Sequence, residues 1–222
     1  MADTPNRGRI LLSQRPSKGK SDSGPVFEMI WQGGEFVSTD EIRIPRRTSL
    51  LGLTIGDVLN NGQESAIGYK WNDHIQLIDS AGKESWESPD RYGGSMLFWD
   101  APWDDRGLVA NKKYFPMRLV VWHDGVNQES QVIAVKNQDV ARRKMDRLRK
   151  FTKAHIQSGS WDAFGLKPIW KTRPISGYIR DYAVGDFNNN GQQVLIAALV
   201  TSEGTTALTE AESRIIAYGL PD

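Results

Sequence analysis

One short phrase occurs twice in this chain, and that repetition constrains its fold more than any other feature. Leu53-Thr54-Ile55-Gly56-Asp57-Val58-Leu59-Asn60-Asn61-Gly62-Gln63 returns as Tyr182-Ala183-Val184-Gly185-Asp186-Phe187-Asn188-Asn189-Asn190-Gly191-Gln192. Each copy runs from an apolar strand into Gly-Asp, through an Asn/Gly-rich turn, and out into a second apolar strand, Ser65 to Tyr69 or Val194 to Val200. Asn-Gly favours tight hairpin connections because such turns need residues that tolerate positive φ. A degenerate third copy lies between them, with Arg118 to Asp124 leading through Gly125 and Glu129 into Gln131 to Val135. A fold built on a recurring strand–turn–strand unit is an all-β repeat architecture.

The flanking segments read the same way. Ile10 to Gln14, Val26 to Trp31, Phe36 to Ile44, His74 to Asp79, Ala154 to Trp161, Pro168 to Thr172 and Arg214 to Gly219 are short β-rich runs. Gly, Pro, Ser and Asp separate them. The spacing implies three or four strands per unit. Units of this kind expose their edges unless neighbours cover them, which favours a β-propeller, or a propeller segment, of about four blades. A β-sandwich is the alternative topology. Two stretches break the rhythm. Trp99 to Gly107 reads as an irregular loop rich in aromatics and acids. Ala141 to Lys150 reads as a short basic helical insertion, because Ala141, Met145 and Leu148 share one helical face. Residues 1–7 read as a disordered tail and 8–222 as the repeat domain.

Composition narrows the chemistry. With no cysteine there are no disulfides, thiolate zinc sites or cysteine nucleophiles. A net charge of +1 argues against a duplex nucleic-acid partner. No apolar run approaches the ~20 residues of a membrane-spanning helix. The first residues lack the charged and apolar regions of a secretory signal, which leaves open a cytoplasmic location or a removed leader.

The Gly-Asp-x-Asn-Asn-Asn-Gly units resemble the FG-GAP/VCBS repeats of bacterial cell-envelope proteins. Pro25 to Glu28, Tyr92-Gly93-Gly94-Ser95, Gly165 to Thr172 and Ile175 to Phe187 resemble a subgroup whose propeller often follows a flagellar-assembly-like domain. The similarity runs from about Gly8 onward. It implies that each repeat is a propeller blade, that this chain corresponds to the C-terminal part of a larger propeller, and that it works in the bacterial periplasm or at the extracellular surface. The expected function is non-catalytic, a scaffold or interaction module that binds a protein partner or pairs with itself through open sheet edges. Carbohydrate binding, or assembly into an oligomer or filament completed by neighbouring blades, is the alternative.

Family loops often hold calcium, and the best match here is Asp186, Asn188 and Asn190. Calcium wants six to eight oxygen ligands, several of them carboxylates. One carboxylate per loop favours instead a turn-capping role for Asp57 and Asp186, and no other cofactor is expected. Trp99 and Trp103, beside Asp100, Asp104 and Asp105, combine flat apolar faces with acceptors, as a sugar site needs. Two of these acids would have to lie about 5–9.5 Å apart to act as a glycosidase pair. The run Arg142, Arg143, Lys144, Arg147, Arg149, Lys150 and Lys153 offers a cationic contact surface, the bland alternative being a solvated face. No aromatic interleaves it, so single-stranded nucleic acid is not expected. Trp31, Trp86 and Trp170 are expected between blades. His74, His123 and His155 lie far apart, and no nucleophile elbow or phosphate loop is present.

Overall fold

The structure, a computed structural model, describes residues 2–4, 8–15, 24–101, 111–123, 129–139, 149–203 and 210–220. It is all-β, built from five antiparallel sheets, each formed from strands consecutive in the chain. The first sheet is β1 (Ala2–Thr4), β2 (Gly8–Gln14), β3 (Val26–Gln32) and β4 (Glu35–Ile42). The second is β5 (Leu53–Gly56), β6 (Ser65–Tyr69), β7 (His74–Ile78) and β8 (Glu84–Arg91). A two-stranded ribbon follows, β9 (Phe98–Ala101) with β10 (Asn111–Tyr114). The third large sheet is β11 (Val120–His123), β12 (Ser130–Asp139), β13 (Phe151–Asp162) and β14 (Gly165–Lys171), with β15 (Ile175–Ser176) also on β13. The fourth is β16 (Tyr178–Gly185), β17 (Val194–Glu203) and β18 (Ala211–Gly219). Up-and-down order follows from turns too short for crossovers.

The expected strands are present, and β6 has the expected limits. Of the expected tail, Ala2–Thr4 pairs with β2, while residues 1 and 5–7 lie outside the described residues. Residues 141–148 of the expected helix also lie outside them, and Arg149 and Lys150 enter β13 without regular structure.

The large sheets pack in chain order. Ile10, Leu12 and Val26 of the first sheet bury against Ile55 of the second. A larger core joins Ile67, Tyr69, Ile75 and Leu77 of the second to Val132 and Ala134 of the third, and continues through Ile133, Val135 and Ile156 to Ile179, Tyr182, Leu195 and Ala197 of the fourth. The pleat explains how one strand serves two neighbours: alternate residues of β12 point to opposite faces. Its centre, Val132 to Val135, is therefore a continuous apolar run rather than an alternating one, as in a strand buried on both sides.

Asparagine amides fasten these layers. Asn60 Nδ2 donates to the Ser130 carbonyl at 3.2 Å, and Ser130 N–H donates to Asn60 Oδ1 at 2.6 Å, linking the second sheet to the third. Asn137 does the same to Ile179, linking the third to the fourth, with bonds of 2.9 Å in both directions. In each case one side-chain amide imitates the paired bonds of a neighbouring strand residue. The segment Tyr92-Gly93-Gly94 threads between layers, with Gly93 N–H on the Val135 carbonyl at 2.6 Å and Asn137 N–H on the Gly93 carbonyl at 3.0 Å. A Cβ at Gly94 would stand 2.9 Å from the Phe151 ring, so the layers close there only around glycine.

One tryptophan expectation is overturned. Trp86 lies between sheets, edge-on to Trp161 at 5.3 Å, and Trp170 donates to Gln131 Oε1 at 3.1 Å against the core. Trp31 instead is 64% exposed on the first sheet, stacked edge-on with Phe36 at 4.8 Å. Phe27, Met29 and Trp31 alternate with Val26, so they lie on the face turned away from the second sheet.

Candidate functional site

The ribbon between the second and third sheets concentrates exposed aromatic surface. Leu97, Phe98 and Trp99 are consecutive and exposed. The expectation of an irregular loop starting at Trp99 is corrected: Phe98–Ala101 is a strand, in register with Asn111–Tyr114. Its stability has a local cause, since aromatic pairs across a ladder are favourable. Phe98 faces Tyr114 edge-on at 5.6 Å, and on the other face Trp99 meets Phe115 at 5.2 Å.

Cations border these rings. Lys112 Nζ lies 4.1 Å from the Phe98 centroid, and Asp100 is its cross-strand partner. Arg149, within the basic run, places its guanidinium 3.9 Å from the Tyr114 centroid. It is held there by the Ser95 carbonyl at 3.1 Å and by Asp73 at 3.5 Å. The ribbon that carries Trp99 and part of the basic run, read separately from the sequence, therefore meet at Tyr114. Sequence reasoning missed Phe98, Lys112 and Tyr114. The adjacent aromatics Tyr114-Phe115, following the polar run Asn111 to Lys113, are the signal that could have found them. Trp103, Asp104 and Asp105, together with Arg142, Arg143, Lys144 and Arg147, lie outside the described residues.

The repeat turns form two matching cages. Asp57 accepts from Asn61 N–H at 2.9 Å and Gly62 N–H at 2.8 Å, and Asn61 Oδ1 accepts from Gln63 N–H at 2.9 Å. Asp186 accepts from Asn190 N–H at 3.0 Å and Gly191 N–H at 2.8 Å, while Asn190 Oδ1 accepts from Gln192 N–H at 2.9 Å. Asn60 and Asn189 occupy the same left-handed conformation, with φ of 54° and 53°. The carboxylates thus bind backbone donors, the turn-capping role. Among the described residues no cluster of three His, Asp or Glu side chains is placed to hold a metal.

The Gly191 N–H, with weaker help from Asn190, Asn188 and Asn189, holds the Asp186 carboxyl below the usual carboxylate range. A depressed folded pKa stabilises the fold above the unfolded carboxyl's pKa near ~3.9, and that contribution disappears as pH falls through the folded value. Asp186→Asn is therefore expected to lower the thermal midpoint at pH 7, with the gap to wild type closing in acid. Parallel melts from pH 7 to pH 2 check this, and a gap that does not narrow contradicts it. Added calcium is expected to leave the wild-type midpoint unchanged.

The histidines do not converge. His74 Nδ1 lies 2.7 Å from the Ser88 carbonyl, and His123 Nδ1 lies 3.2 Å from Ser130 Oγ. His155 contacts Gln157, and burial pulls its pKa down. A cleft of about 330 Å³ beside β4 is lined by Glu41, Arg43, Ile55, Glu64, Ser65 and Asp79. No helix among the described residues is long and apolar enough to cross a membrane. No family model, no curated protein and no solved structure matches this chain.

Proposed function

We propose that the chain is a non-catalytic portion of a β-propeller of the FG-GAP/VCBS kind, serving as a scaffold and protein-interaction module of the bacterial cell envelope. Its place is the periplasm or the extracellular surface. Consecutive sheets that each pack on the next, in chain order, support the blade reading. The observation that carries the interaction reading is the ribbon: exposed Leu97, Phe98 and Trp99, bordered by Lys112 and Arg149. Aromatic and arginine side chains on a preformed element are the residue types that dominate protein-binding energetics.

A photo-reactive phenylalanine analogue replacing Phe98 tests this in envelope preparations. The expected result is a discrete protein adduct at position 98, absent when the probe replaces Phe164, which is 90% exposed elsewhere on the surface. With the partner purified, Trp99→Ala is expected to weaken binding by tenfold or more, about 1.4 kcal/mol. Equal labelling at both positions would refute the ribbon as the contact. Glycan-array binding lost in Trp99→Ala would replace the protein partner with a carbohydrate.

A further inference from the structure

We propose that the outward face of the fourth sheet is a docking surface for the first sheet of a second copy of this chain, with Asn189 as its polar latch. The proposal rests on reading the sheets as successive blades and adds the partner.

The outward face is apolar by register. In β17 the buried residues are Leu195, Ala197 and Leu199, which point to the third sheet. Val194, Ile196, Ala198 and Val200 point the other way. Their cross-strand partners on β18 are Gly219, Ala217, Ile215 and Ser213, and on β16 Ala183 lies beside Ile196 and Gly185 beside Val194. Asp181, beside Ala198, is the one charged residue in this register and is paired with Arg118 at 2.7 Å, and Ile215 is 63% exposed. The corresponding face of the second sheet carries Ile67, Tyr69, Ile75 and Leu77, all buried by the sheet that follows. A largely apolar sheet face of this kind in water marks an interaction surface.

The turn above that face carries the second observation. Asn60, three residues after Asp57, embraces Ser130 of the following sheet and also reaches Ser160 Oγ at 3.2 Å. Asn189, three residues after Asp186, has the same backbone conformation in the same cage and stands exposed. It offers an equivalent amide to the strand start of a following sheet.

The first sheet is a suitable occupant. Its face turned away from the second sheet presents Leu11, Phe27, Met29, Trp31 and Phe36, with Trp31 and Phe36 at 64% and 56% exposure. Within the chain the second and third sheets each place one apolar face on the preceding sheet and the other on the following one. A second copy repeats that step once more. The contact is heterologous, head to tail, and so produces either a closed ring or a chain of protomers.

Light scattering on the full chain across a hundredfold concentration range tests this. The expected result is a mass that rises above one protomer. Ile215→Arg and Trp31→Glu, each at an exposed position and each checked for an unchanged circular dichroism spectrum, are both expected to be monomeric alone. Mixed, they are expected to form a 1:1 dimer that grows no further, because one retains the first-sheet face and the other the fourth-sheet face. Asn189→Ala is expected to weaken association by roughly three- to tenfold, the loss of one or two neutral hydrogen bonds, whereas Asn188→Ala leaves it unchanged. A constant single-protomer mass overturns the proposal while leaving the blade reading intact. Association that survives Trp31→Glu alone also overturns it, since that outcome requires a symmetric contact or pairing along the β18 edge. Failure of the blade reading itself would appear elsewhere, as an Asn60→Ala variant with undiminished folding stability.

Discussion

Asn137→Leu is expected to destabilise the fold by roughly 3–4 kcal/mol. Its amide donates to the Gly94 carbonyl at 2.7 Å and the Ile179 carbonyl at 2.9 Å, and its oxygen accepts from Ile179 N–H at 2.9 Å. Asn137 and Ile179 are both buried. Leucine replaces the amide with a similar volume but leaves the Ile179 N–H and two carbonyls without these bonds, out of reach of water. Each such group costs about 1–3 kcal/mol. Asn60 makes the corresponding embrace with its side chain exposed, so water can take its place and its removal costs less. Urea unfolding followed by tryptophan fluorescence measures the difference. A loss under about 1 kcal/mol for Asn137→Leu would mean that apolar packing alone holds the third and fourth sheets together.

The same contrast explains what could be read from the sequence. The repeat turns were legible because their chemistry is local: Asp57 and Asp186 cage donors within five residues, and Asn60 and Asn189 supply the positive φ those turns need. The runs at β6 and β17 were legible as strands because their β-rich apolar character is local as well. The latches were not. Nothing adjacent in sequence to Asn137 announces Ile179, 42 residues away. β8 was missed because Glu84, Glu87, Asp90 and Arg91 resemble a solvated loop, yet Glu84 and Glu87 both pair with Lys70. At the candidate site Trp99 was visible as an aromatic among acids. Its ribbon was invisible because the stabilising rings come from 16 residues on, Tyr114 of the partner strand for Phe98 and Phe115 just beyond that strand for Trp99.

Gly177→Ala is expected to rival Asn137→Leu, with a loss of about 3 kcal/mol or more, and the two mechanisms are distinguishable. Gly177 joins β15 to β16 at φ 101°, a conformation that side chains rarely adopt. Its N–H bonds the Thr152 carbonyl at 2.9 Å, which ties this connection to β13. A Cβ there would fall 2.2 Å from the Val200 carbonyl oxygen and 3.0 Å from Thr201 Cα, both backbone atoms of β17. No rotamer change relieves a clash with backbone, so β16 must separate from β17 or the residue must leave its conformation. Overpacking of this kind costs roughly 1–3 kcal/mol, and the left-handed strain adds about 1–2 kcal/mol. The damage falls on the β16–β17 ladder, where Ile179 pairs with Leu199 and Tyr178 with Val200. Amide hydrogen exchange is expected to accelerate first in those residues, while β6 and β7 of the second sheet stay protected. For Asn137→Leu the loss is instead expected across the third and fourth sheets together. Uniform loss of protection in Gly177→Ala would mean that the fourth sheet does not unfold apart from the rest, and that the layers behave as one cooperative unit.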